Sequence, residues 1–158
     1  MFNIDEVREF IRNTSETTNV YIGSDSVRYC RKDGIWQADY TVAIVIHYDG
    51  NKGCKVFGEV TSDVDYDRRK DRPALRLMNE VYKAAQMYLD LEEAIGDRHV
   101  EVHLDLNPDY MHGSSCVVTQ AIGYVKGLTN ITPQIKPEAF AASYAADRLQ
   151  EILSRCIG

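Results

Sequence analysis

Two aspartates in this sequence fall on strand-like runs where they could do chemistry. Asp25 falls inside an otherwise apolar, strand-like run that begins with Val20 and Ile22. A carboxylate there is costly to bury unless it is paired, hydrogen-bonded or bound to a cation. Asp105 closes a run that alternates strictly, with Val100, Val102, Leu104 and Leu106 on one side and Glu101, His103, Asp105 and Asn107 on the other. Two further acids can join them. Glu80 borders the apolar stripe of a long helical segment, and Asp147 lies in the Ala-rich helical run AASYAADRL. Asp147 reaches such a site only if its helix presents the Phe140 face to the sheet. Carboxylates crowded together cannot all stay ionised without cations. Oxygen donors with no cysteine nearby favour Mg²⁺ or Mn²⁺ over zinc. Two such ions about 3.5–4 Å apart are the arrangement that serves phosphodiester hydrolysis.

Other residues have both a plain and a chemical reading. Arg68, Arg69, Lys70, Arg72 and Arg76 cluster before and into the Glu80 helix. They make either a solvated loop balanced by Asp63, Asp65, Asp67 and Asp71 or a patch that contacts phosphate. Lys136 is either a solubilising residue at a strand edge or another phosphate contact. Ser26, next to Asp25, joins Arg72, Arg76 and Lys136 as the substrate-binding candidates. His103 reads as hydrogen-bonded structure ahead of a ligand or proton shuttle.

The elements that must position these residues follow from periodicity. Residues 3–13 form a short amphipathic helix that Asn3 can cap. Strands are predicted over 19–29, 36–48 and 54–61, joined by turns at Asp33-Gly34 and Asp49-Gly50, which makes an antiparallel meander. A helix over 73–95 carries Leu77, Val81, Ala84, Tyr88 and Leu91 on one stripe, and Gly96 ends it. A fourth strand covers 99–107. A helix from Ser114 or Ser115 to about Lys126 follows, stopped by Gly127. A short fifth strand over 131–136 and a helix over 137–155 complete the chain. The fold class is thus α/β: a mixed five-stranded sheet, a meander plus two parallel crossover strands, with helices on both faces. The 158 residues suit one domain, with residues 1–18 as a helical extension.

Composition narrows the function classes. With 18 basic and 24 acidic residues the net charge is −6, so a polyanion site must come from a local patch, a metal or both. The four cysteines form no CxxC pair, which predicts reduced, mostly buried thiols in a cytoplasmic protein. No apolar run approaches the roughly 18 residues that a membrane span needs, and residues 1–13 lack the apolar core of a secretory signal.

Four segments together resemble the ribonuclease H-like superfamily and, within it, the YkuK-type ribonuclease H-like family. They are Val20-Tyr21-Ile22-Gly23-Ser24-Asp25-Ser26, His103-Leu104-Asp105-Leu106-Asn107, Gly123-Tyr124-Val125-Lys126-Gly127, and Lys136-Pro137-Glu138-Ala139-Phe140-Ala141-Ala142-Ser143 leading to Ala146-Asp147. The likeness runs from about Asn19 to Leu153. It implies that Asp25, Glu80, Asp105 and Asp147 are the catalytic and metal-holding acids. It also implies two Mg²⁺ or Mn²⁺ ions as cofactors and nucleic acid (RNA, DNA or a hybrid) as the partner. The order D-E-D-D is closer to ribonuclease H than to proofreading exonucleases, whose first strand carries Asp-x-Glu; that third position here is Val27. The expected activity is a metal-dependent nuclease. The competing expectation is a nucleic-acid-binding or protein-interaction module that keeps the fold without turnover.

Overall fold

The computed structural model describes residues 2–48, 53–66, 74–106 and 117–135. The chain opens with α1 (Ile4–Arg12), capped by the Asn3 side chain, which accepts from the Asp5 and Glu6 amides. The meander follows as β1 (Asn19–Cys30), β2 (Trp36–His47) and β3 (Cys54–Val64). The turn after β1 uses Gly34 at φ 86°, a conformation that costs glycine little. The turn expected at Asp49-Gly50 lies outside the described residues. β3 is three residues longer than its apolar pattern suggests, because its pairing with β2 runs unbroken from His47↔Cys54 to Gln37↔Val64.

The long helix α2 (Ala74–Ile95) leads to β4 (His99–Leu104), and α3 (Val118–Thr129) closes the described elements. The sheet order is β3-β2-β1-β4, with β4 parallel to β1. α2 is therefore the crossover that carries the chain from one edge of the sheet to the other. Among the described residues the sheet has four strands. The segment expected to be a fifth makes one parallel bridge, His103↔Gln134, held by hydrogen bonds from the Leu104 amide to the Gln134 carbonyl and from the Gln134 amide to the Val102 carbonyl. Pro133 has no amide to add to that ladder.

The pleat divides the sheet cleanly. Val20 and Ile22 of β1, Val42, Ile44 and Ile46 of β2, and Val102 and Leu104 of β4 share one buried cluster with Leu77, Val81, Ala84, Ala85 and Leu91 of α2. Val7 and Ile11 of α1 and Ala121 and Val125 of α3 belong to the same cluster. On the other face Ala43 and Val45 are buried with Tyr21 against them. Helices were expected on both faces; the three described ones join the first cluster, and the helix placed over 137–155 lies outside the described residues. α3 does not stop at Gly127 but at Thr129, with Asn130 in the left-handed conformation at φ 59°. An asparagine tolerates that conformation better than most side chains. The start expected at Ser114 or Ser115 lies outside the described residues.

Arg98 fastens the ends of α1 and α2. Its guanidinium donates to the carbonyls of Thr14 and Ser15 beyond α1 and of Ala94 and Ile95 in the last turn of α2. A cation at two helix C-termini satisfies orphan carbonyls and complements both dipoles. The described cysteines correct one expectation: Cys30 and Cys54 are exposed, not buried. Among the described residues no helix is long and apolar enough to cross a membrane.

Candidate active site

The parallel pairing of β1 with β4 ends at Ser24↔Leu104. Asp25 continues β1 opposite Thr41, while Asp105 lies just past the end of β4, where the Leu106 amide donates back to the Leu104 carbonyl. The neighbouring of β1 and β4 is what the topology predicted. Alternation assigns Asp25 to the face that carries Tyr21, whose ring meets that of His103 edge to face with centroids 5.4 Å apart. The Asp25 carboxylate accepts from the Ser26 amide at 2.8 Å.

Glu80 comes to this place from the other face. Ser24 points toward α2 and donates its hydroxyl to the Glu80 carbonyl at 2.6 Å. The Glu80 residue is only 4% exposed. It was expected on the border of the apolar stripe and instead lies inside the buried face. Burial pushes its carboxyl well above the usual carboxylate range, and the charges of Asp25 and Asp105 push the same way. A hydrogen bond with the Ser26 side chain and the charge of Arg76 pull it back. Arg76 Nη1 donates to Ser26 Oγ at 2.8 Å, so the guanidinium acts on Glu80 both directly and through the serine. Asp25, Glu80 and Asp105 thus share one electrostatic neighbourhood, although among the described residues no group of three or more His, Cys, Asp and Glu is close enough to hold a metal ion.

The substrate-binding candidates divide. Ser26 and Arg76 are in this neighbourhood, bonded to each other and directed at the acid. Arg72, Lys136 and the fourth acid, Asp147, lie outside the described residues. His103 is 3% exposed, with Nε2 3.5 Å from Glu101 Oε1. Burial lowers its pKa more than Glu101 raises it, which favours the neutral ring.

Sequence reasoning missed two contributors. Ser24 is the tie between β1 and α2; the signal was a serine at an inward position of an apolar strand. Asp65 is buried and pairs with Arg28, which in turn stacks on Trp36 with its guanidinium carbon 4.0 Å from the ring centroid. Asp65 had been read only as a counter-charge for the basic loop. On α2, immediately before Glu80, Asn79 donates to the Tyr40 hydroxyl at 3.2 Å, and burial raises the pKa of that hydroxyl. These contacts continue the polar layer from Glu80 across β2 toward Asp65.

Searches of curated proteins and of solved structures found no match. The sequence profile of the Ribonuclease H-like family, however, matches residues 3–151, which takes in every described element and all four candidate acids. On that extent of match, the chain belongs to the Ribonuclease H-like family.

Proposed function

We propose that the chain is a metal-dependent nuclease, hydrolysing nucleic-acid phosphodiesters with two Mg²⁺ or Mn²⁺ ions held by Asp25, Glu80, Asp105 and Asp147. One observation carries the reading: Glu80 is buried beside two aspartates that, with burial, drive it toward its neutral form. Arg76 offsets part of this cost, and a bound divalent cation would offset more. The donors are all carboxylate oxygens, which suits a hard divalent ion. When bound, such ions supply a nucleophile at neutral pH and neutralise charge on the leaving oxygen.

The chain's own residues have narrower tasks. Asp25, within β1, and Asp105, just past the end of β4, supply the negative charge around Glu80. Ser26 and Arg76 favour the ionised form of Glu80, which is the form a metal needs. Ser24 fixes the backbone from which Glu80 projects. Arg72, Arg76 and Lys136 are the cations assigned to substrate phosphates, and they would offset the acidic average of the chain. The same reading takes residues 131–136 as a fifth strand of the sheet, entered at Gln134 beside β4.

The test is a cleavage panel of labelled single strand, duplex, RNA–DNA hybrid and junction with Mn²⁺. Wild type is compared with Asp25→Asn and Asp105→Asn prepared identically. Loss of at least ~100-fold in either variant, comparable to removing one preorganised charge-stabilising group, supports the reading. Equal residual activity in all three proteins identifies a contaminant and removes it.

A further inference from the structure

β3 stands at the end of the sheet order, with β2 as its one neighbour among the described residues. It is 11 residues long and paired with β2 without a bulge. Long, regular edges template pairing with another chain, and proteins blunt them with proline, bulges or inward-pointing charge. β3 has no proline; its charges, Lys55, Glu59 and Asp63, stand on the side of the core cluster, with Lys55 opposite Ile46 and Glu59 opposite Val42, and they leave the other face uncharged throughout: Val56, Gly58, Val60, Ser62 and Val64. Its three valines remain 36%, 37% and 37% exposed. They recur every four residues, so the pattern reads the same from either end about Val60.

We propose that β3 is a self-association edge, on which a second copy of this chain pairs antiparallel about a two-fold axis at Val60. In that register Val60 meets its own counterpart, and Val56 and Val64 of each copy face Val64 and Val56 of the other. All three exposed valines then lie opposite valines, which is the cross-strand match that stabilises a ladder. On the opposite face Glu59 lies across from Thr61, and Asp63 across from Phe57, so no like charges are directly opposed. The adjacent two-fold registers are worse. An axis at Glu59 sets two glutamates against each other, and one at Thr61 sets Glu59 against Asp63. An axis at Gly58 opposes only Val56 and Val60 and leaves Val64 unmatched. The charges of β3 therefore select the register that its valines favour. A two-fold contact of this kind is closed and self-complementary, so it ends at a dimer. The two sheets become one of eight described strands.

Sedimentation equilibrium of the full chain tests this across the micromolar range. Wild type is expected to move from the chain mass of 17.9 kDa toward twice that value as concentration rises. Val60→Lys and Val60→Glu each place like charges on the axis and are expected to stay at the single-chain mass, with circular dichroism checking their fold. An equimolar mixture of the two opposes lysine to glutamate and is expected to recover the double mass. Should either variant fail to fold, hydrogen exchange on wild type decides instead, with β3 amides slowing as concentration rises. A wild type that stays at the single-chain mass, or β3 exchange that ignores concentration, overturns the dimer. A mixture of folded variants that stays at the single-chain mass overturns the Val60 register.

Discussion

The Ser24 hydroxyl is bonded to the backbone of Glu80, not to its carboxylate. β1 thus grips α2 at the residue that brings an acid to the site, and the strand carrying Asp25 and the helix carrying Glu80 cannot slide independently. Ser24→Ala is expected to cost about 0.5–1.5 kcal/mol, the usual worth of one such bond. Urea denaturation measures that cost. Metal affinity is expected to fall in the same variant, because Glu80 is less well placed.

Glu80 itself works against stability when no metal is present. Its folded-state pKa is raised above the value of the unfolded chain. The native state therefore holds the proton more tightly, and this contribution is full below the unfolded pKa and lost as pH rises through the folded one. In chelator, melting temperature is expected to decline across that window in wild type, with a shallower decline in Glu80→Gln. At neutral pH the variant is expected to be more stable by about 0.5–2 kcal/mol, as when a strained functional group is relieved. A melting curve at each pH measures both. A Glu80→Gln protein less stable than wild type in chelator contradicts the burial argument.

Divalent ions should reverse that order. Millimolar Mn²⁺ or Mg²⁺ is expected to raise the melting temperature of wild type by mass action, with about 2.7 kcal/mol at a hundredfold excess over Kd. Asp25→Asn and Glu80→Gln are expected to show little of this rise. Differential scanning fluorimetry with and without chelator reads the difference, and a wild type indifferent to both ions counts against the proposed chemistry.

Arg98 has no place in the site, so it separates stability from function. Arg98→Ala removes a guanidinium that serves carbonyls beyond α1 and in the last turn of α2. The expected cost is about 1.5–3 kcal/mol, the range for bonds to a charged donor. Chemical denaturation gives the cost. The metal-induced shift of the still-folded variant is expected to match that of wild type.

The sequence made the frame legible because its periods change sharply. The two-residue alternation of His99 to Leu106 and the helical stripe of Leu77 to Leu91 each have one structural meaning, and the order of these elements sets β4 beside β1. That adjacency brings the segments that carry Asp25 and Asp105 close enough for both charges to act on Glu80. Glu80 was harder. A helical wheel gives an angle, not the width of the surface that packs over it, and Ser26 and Arg76 provide polar partners that let an acid enter the buried face. The stop of α3 was misjudged because Gly127 is only permissive of a helix end; Asn130 adopts the left-handed turn instead. Cys54 was misjudged because it opens an edge strand, where no further layer covers it.

The parallel seam between β1 and β4 has a kinetic meaning. The hairpins of the meander can close locally, whereas that seam waits until the whole of α2 has been laid across the sheet. On the proposed chemistry Asp25 and Asp105 would therefore come together late, and a half-formed chain would have nothing with which to grip a divalent ion. Occupancy would then leave the rate of folding nearly untouched and slow the opposite reaction. A protease that samples globally opened molecules would find fewer of them in the presence of the ion.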